Sequence, residues 1–124
     1  MKYLVSELVG ALLDAAVAKA DGLEPRIEPY RVTGGYGITF VRDEPVCVVR
    51  AEHFSPSSDW AHGGPIIDRE SIDVHKVNDS HFGARLWVRV DDDTITNRDS
   101  SGPTRLIAAM RAFVIARLGD EIEL

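Results

Sequence analysis

The chain has 124 residues, a net charge of −6 and one cysteine. This length predicts a single domain, residues 1–124, with a core that needs neither a disulfide nor a metal. The acidic balance argues against proteins that bind nucleic acid through its phosphates, and the lone Cys47 excludes an internal disulfide.

The first predicted element is an amphipathic helix over residues 7–21, with Ser6 as its N-cap and Gly22 at its end. Its apolar side is predicted from helical spacing to carry Leu8, Leu12, Leu13, Ala16, Val17 and Ala20. Its opposite, solvent side is predicted to carry three acids: Glu7, Asp14 and Asp21. Because acids interrupt this run, and no apolar stretch approaches the ~20 residues of a membrane span, we expect a soluble, unexported protein.

Two β-rich runs, Tyr36–Arg42 and Val46–Ala51, predict a hairpin after an irregular connection that contains Pro25 and Pro29. Cys47 lies among valines in the second run, which predicts a buried structural thiol rather than a nucleophile.

Two later runs, Ser71–Val77 and Ala84–Val90, predict a second strand pair joined by a turn near Ser80. The last run alternates clearly. One side is predicted to carry Leu86, Val88 and Val90, and the other to carry Arg85, Trp87 and Arg89. The pattern therefore predicts one face packed on helices and one open face.

Residues 54–67 lie between the strand pairs and predict an ordered loop. Two prolines and a glycine pair restrict the backbone, and Trp60 is expected to anchor the loop in the core. Several polar side chains are then held in set positions: Ser55, Ser57, Ser58, Asp59 and His62. Ordered loops of this kind often carry function.

A polar loop is predicted over Asp91–Gly102, and a final helix over residues 105–118 with Thr104 as N-cap and Gly119 at its end. Its apolar stripe is predicted to contain Leu106, Ile107, Met110, Phe113, Val114 and Leu118. The chain order α-β-β-β-β-α predicts an α+β fold: a four-stranded antiparallel sheet with both terminal helices packed on one face.

Three segments carry a family resemblance: Leu12–Ala20, Ser55–Ile67 and Gly102–Glu121. Together they resemble the NinX-like family, small proteins of phages and prophages. The resemblance implies a phage or prophage origin, a cytoplasmic location in a bacterial host cell, and an accessory role near replication and recombination functions. It implies no reaction. Ala15 and Ala16 stand where the family often has aromatic residues, and Arg105 stands where it often has proline.

The loop at 54–67 has two interpretations. In one, Ser57, Ser58, Asp59 and His62 present donors and acceptors to a ligand, steadied by Trp60. In the other, the same side chains cap local backbone turns while Trp60 fills the core. Both interpretations stay open at this point.

Common catalytic and metal-binding patterns do not match the chain. The loop serine, aspartate and histidine lie too close together for a hydrolase triad, and a Gly-x-Ser-x-Gly elbow is missing. The spacing of the four histidines does not match a zinc site: His53, His62, His75 and His81. The run Asp91-Asp92-Asp93 does not match a calcium loop. The Gly34-Gly35-Tyr36-Gly37 segment precedes a strand and predicts a turn rather than a phosphate loop. We therefore expect no catalytic residue, metal or cofactor.

The Arg85-Trp87-Arg89 face has the composition of a protein-contact hot spot, with Asp73 and His75 expected as cross-strand neighbours. Base stacking on Trp87 and a Trp87 covered by its own neighbours are the alternatives. The leading hypothesis is a non-catalytic module that binds a host or phage protein, or a second copy of itself. The alternatives are an enzyme or ligand-binding protein of nucleotide or nucleic-acid metabolism that uses the 54–67 loop, and an acidic mimic of nucleic acid.

Overall fold

The structure is a computed structural model that describes the backbone of residues 2–22, 24–29, 36–42, 47–50 and 55–124, and the side chains of residues 2–22 and 55–124. The helices are α1 (Gly10–Ala20), α2 (Trp60–Glu70) and α3 (Arg105–Leu118), with a 3-10 turn at Val5–Glu7. The strands are β1 (Lys2–Leu4), β2 (Glu24–Pro29), β3 (Tyr36–Arg42), β4 (Cys47–Arg50), β5 (Asp73–Asn78), β6 (His81–Arg89), β7 (Ile95–Gly102) and β8 (Glu121–Glu123). These elements confirm the α+β class.

The described strands form three antiparallel sheets, so the prediction of one four-stranded sheet is wrong. The sheets have the orders β1-β8, β2-β3-β4 and β5-β6-β7. The predicted hairpin is present as β3 and β4, and β2 pairs along β3 where an irregular connection was expected. Helix α2 stands between β4 and β5 in the chain, and the two hairpins belong to separate sheets.

Helix α2 replaces the second half of the predicted 54–67 loop. The Oδ1 atom of Asp59 accepts a hydrogen bond from the Ala61 N–H at 2.9 Å, so the carboxylate caps the helix. The glycine pair was part of the predicted ordered loop. A Cβ on Gly63 would instead meet the Pro56 carbonyl and lie 2.6 Å from Leu106 Cδ2, so glycine permits close packing of α2 here.

Strand β7 occupies most of the predicted polar loop. The turn between β6 and β7 spans only residues 90–94, and β7 pairs with β6 from Ile95 opposite Arg89 to Gly102 opposite Phe82. This strand escaped prediction because it lies at the sheet edge and carries mainly polar residues, without the alternation that marks a half-buried strand.

Helix α3 covers the inner face of the β5–β6–β7 sheet. Leu86 is buried beneath it, as the alternation predicted, together with Ala84 and with Met110 and Phe113 of α3. Val90, predicted for the same side, is 60% exposed beyond the end of β6. Thr104 is the N-cap, its Oγ1 accepting from the Ile107 N–H at 3.1 Å, and the helix ends before Gly119 as predicted.

Helix α1 packs on α3 and on β2 and β3, so the two terminal helices do not lie side by side on one sheet. It begins at Gly10 with Val9 as N-cap, later than the predicted start, and Ser6 lies in the preceding 3-10 turn. Most of the predicted apolar side is buried, but Asp14 is buried too, against the prediction. None of the helices in the described part of the chain is long and apolar enough to cross a membrane.

Candidate functional site

The turn at Pro56–Ser58 docks on α1 through the backbone N–H and the side-chain hydroxyl of Ser57. The Ser57 N–H donates to Asp14 Oδ1 at 2.8 Å, and Ser57 Oγ donates to the Gly10 carbonyl at 3.4 Å. Pro56 is fully buried beside them. The anchor of this segment is therefore the Asp14–Ser57 pair with Pro56. The sequence signal for this anchor was Asp14, an acid within the apolar run of α1. The helical spacing had instead predicted that Asp14 faces solvent.

Asp59 and His62 are both engaged in holding the local backbone. Asp59 caps α2, and His62 Nδ1 accepts a hydrogen bond from the Ser55 N–H at 2.9 Å. The two side chains stand 4.0 Å apart at their nearest polar atoms. Because hydrogen bonds to the backbone occupy these groups, their arrangement favours the structural interpretation of the loop over the catalytic one.

Trp60 does not anchor the loop in the core, so that prediction is wrong. Its side chain is 56% exposed at the first turn of α2, and the neighbouring Ser58 is exposed as well. Asp59 orients this turn through its cap, which leaves the indole facing solvent.

Burial raises the pKa of Asp14 above its ordinary value of 3.8, and the bonds from Ser57 and the nearby His62 offset part of this effect. The folded state then binds the proton more tightly than the unfolded chain. We expect the free energy of unfolding of the wild type, minus that of Asp14→Asn, to be greatest below pH 3.8 and to fall as the pH rises through the raised pKa. Urea unfolding at a series of pH values measures this difference, and a difference that rises with pH would contradict the assignment.

The exposed side of the β5–β6–β7 sheet is called the outer face below. It carries residues from all three strands: Asp73 and His75 from β5, Arg85, Trp87 and Arg89 from β6, and Asn97 and Asp99 from β7. Trp87 is 55% exposed, as predicted, at the middle of this surface. Its cross-strand partner is Asn97, on the strand that the sequence did not reveal.

Charges on the outer face are held in a defined arrangement. The Arg85 guanidinium donates to both carboxylate oxygens of Asp99, at 2.9 and 3.2 Å, and lies 5.9 Å from the centre of the Trp87 ring. This bidentate pair, with Asp73 nearby, raises the pKa of Arg85. Arg89 forms no ion pair with any described residue, so it presents an uncompensated cation beside Trp87.

The remaining predicted site residues do not converge. His75 lies over Gly83, where an added Cβ would stand 2.6 Å from His75 Nε2, and His81 pairs with Asn78 at the hairpin turn. Asp91 accepts from the Asp93 N–H within the β6–β7 turn, which lowers its pKa. Across residues 2–22 and 55–124, no three potential metal ligands come together. The Cys47 side chain, His53 and the Gly34-Gly35 pair lie outside the described residues.

Comparison with known proteins bears on most of the chain. No curated protein matches it. A family model described as "Bacteriophage P22, NinX" matches residues 4–117, which include α1, α2, the outer face and nearly all of α3. The match covers the first two segments that suggested a phage protein in the sequence, and the third segment as far as residue 117. The chain belongs to this NinX family of phage proteins.

Proposed function

We propose that this phage protein is a non-catalytic binding module that contacts a protein partner through the outer face. The observation that carries the proposal is Trp87, which stands 55% exposed in the central strand of a sheet that is packed from behind by α3. A large aromatic side chain on a rigid strand contributes contact area at little entropic cost.

The composition of the outer face favours a protein over a nucleic acid. Tryptophan and arginine are enriched where protein interfaces gain most of their affinity. Asp73 and Asp99 lie among the arginines, so the face has no single positive sign to follow a phosphate backbone. The same mixture of positive and negative charges argues against an acidic mimic of nucleic acid.

The 54–67 segment supports a catalytic function less well. Asp59 and His62, the acid and the imidazole that an enzyme there would use, both bond to backbone N–H groups. A general base needs a lone pair free to reach a substrate proton. The engaged lone pair of His62 Nδ1 therefore favours a structural role for the segment.

We expect the double variant Arg85→Ala, Trp87→Ala to fold like the wild type and to lose its protein partner. Both side chains are exposed, so the free energy of unfolding should change by no more than about 1 kcal/mol. Affinity capture from phage-infected host cells, followed by a binding measurement with the purified partner, should show a loss of at least roughly tenfold in affinity.

Trp60→Ala is the matched control, because Trp60 is 56% exposed, as Trp87 is 55% exposed, but lies on α2. This variant should bind the same partner with wild-type affinity. Unchanged binding by the Arg85–Trp87 double variant would overturn the proposal, as would a loss confined to Trp60→Ala.

A further inference from the structure

Strand β6 extends beyond its neighbour β5. The first β5–β6 pair is Asp73 opposite Arg85, and β6 then continues to Arg89. The chain before β5 does not follow this edge, because Ser71 adopts a left-handed backbone conformation, with φ of 53°, and leads back into α2. One side of β6 over residues 86–89 therefore has no neighbouring strand among the described residues.

The hairpin ends show which backbone groups point to that vacant side. The Val90 N–H donates to the Thr94 carbonyl, so Val90 directs its backbone groups towards β7. Directions alternate along a strand, which places the N–H and C=O groups of Trp87 and Arg89 on the opposite side. The other end of β6 agrees with this assignment. His81 pairs with Asn78 across the β5–β6 turn, so it directs its backbone groups towards β5. Trp87 and Arg89 lie an even number of residues further along β6 and therefore point to the same side as His81.

The vacant edge is accessible and has space beside it. No described residue outside the β5–β6–β7 sheet forms a backbone hydrogen bond with Trp87 or Arg89. A groove of about 220 Å³ runs along this edge, lined on its far side by Glu70, Ala116 and Arg117. An extended chain lying here would place alternate side chains in the groove and over the outer face.

Charge indicates what that chain should carry. Glu70 accepts from Arg117 at 2.6 Å, and Arg85 is paired with Asp99, so these groups already have partners. Arg89 has no such partner among the described residues. A carboxylate on the incoming segment would pair with Arg89 at the sheet edge.

We propose that the partner contributes an extended, carboxylate-bearing peptide segment, which adds as a fourth strand to β6 by bonding to the backbone of Trp87 and Arg89. This inference rests on the proposed function and gives it a mode of binding and a partner chemistry. Strand addition of this kind combines backbone hydrogen bonds for affinity with alternate side chains for specificity.

The test uses displayed linear peptides of about twelve residues, selected on the full chain, as the probe. We expect the selected peptides to be enriched in Asp and Glu. Arg89→Ala should weaken the best peptide roughly tenfold by removing the charge-assisted contact. Arg89→Pro should weaken it a further three- to tenfold or so, because proline also removes the N–H donor.

The matched pair separates backbone from side chain, since both variants lack the arginine. Proline at 89 removes no hydrogen bond to β7, because the N–H of Arg89 points to the vacant edge, so both variants should have similar thermal stability. Amide hydrogen exchange gives a second measurement that needs no variant. The Trp87 and Arg89 amides should exchange quickly in the free protein and slowly in the peptide complex, while Val88 exchanges slowly in both.

Equal affinities for Arg89→Pro and Arg89→Ala, with no slowing at the Trp87 and Arg89 amides, would overturn strand addition. If strand addition were overturned in this way but the double variant Arg85→Ala, Trp87→Ala still lost binding, the proposed function would stand. Peptides without acidic enrichment would overturn the carboxylate assignment. Concentration-dependent dimers abolished by Arg89→Pro would assign the edge to a second copy of the chain, and would overturn the proposed partner.

Discussion

Replacing Gly63 with alanine will lower the free energy of unfolding by about 3 kcal/mol. A Cβ at this position would collide with the Pro56 carbonyl and stand 2.6 Å from Leu106 Cδ2. The leucine end can move, but the carbonyl belongs to the buried turn that docks on α1, so α2 must shift away from it. Urea unfolding monitored by circular dichroism measures the loss.

Gly64→Ala provides the internal control for this result. A Cβ on Gly64 would have only Trp60 Cε3 within reach, at 3.9 Å, which is ordinary contact. Alanine is the better helix former, but Pro65 follows and its ring crowds a Cβ on the preceding helical residue, so the free energy of unfolding should change by less than about 1 kcal/mol. Equal effects of the two substitutions would show that α2 does not pack on Pro56 and α3 as described.

Removing the guanidinium of Arg111 will cost about 2–4 kcal/mol in the variant Arg111→Met, which keeps much of the aliphatic stem. This side chain is buried, and burial lowers its pKa. Its Nε donates to the Leu8 carbonyl at 3.0 Å and its Nη1 to the Ser101 carbonyl at 2.7 Å. Methionine would leave both carbonyls without these donors, and so would loosen the contact of α3 with the N-terminal turn and with β7.

Arg117→Ala on the same helix is the comparison for Arg111→Met. Arg117 is exposed and pairs with Glu70 at 2.6 Å, so its removal should cost less than about 1 kcal/mol. Thermal unfolding ranks the two variants directly. If Arg111→Met proved as stable as Arg117→Ala, the two hydrogen bonds of Arg111 would contribute no net stability. The cost of removing its guanidinium from water would then cancel their contribution.

The sequence predicted those parts of the fold that local periodicity controls. Leu86 is buried and Trp87 is exposed because side chains alternate along a strand, and that period needs no knowledge of the partner strands. The apolar stripe of α3 and its Thr104 cap were predicted for the same reason, since both are local features.

The features that were missed depend on contacts between distant residues. Asp14 is buried because the Ser57 N–H reaches it from across the chain, whereas helical spacing alone places an acid on the solvent side. Gly63 packs against a turn and another helix, although the glycine pair and the prolines around it predict an ordered loop. The polar strand β7 has no apolar alternation to reveal it, and the strands β1 and β8, of 3 residues each, are too short to show a period.

The candidate surface was predicted in part. Alternation along β6 correctly put Arg85, Trp87 and Arg89 on an exposed face. It could not reveal that Asp99 pairs with Arg85, because the sequence predicts a loop where β7 lies, nor that β5 stops short of Trp87. Both the ion pair and the vacant edge depend on the register of the strands. The lengths of the hairpin turns and the order of strands in the sheet set that register.

The central claim is that a protein partner covers Trp87 on the outer face. Hydroxyl-radical footprinting of the two tryptophans, with and without the captured partner, tests it most directly, because both side chains are more than half exposed in the free chain. We predict that oxidation of Trp87 falls strongly in the complex while oxidation of Trp60 stays at its free rate. Protection of Trp60 with Trp87 unchanged would place the partner at α2 and contradict the claim.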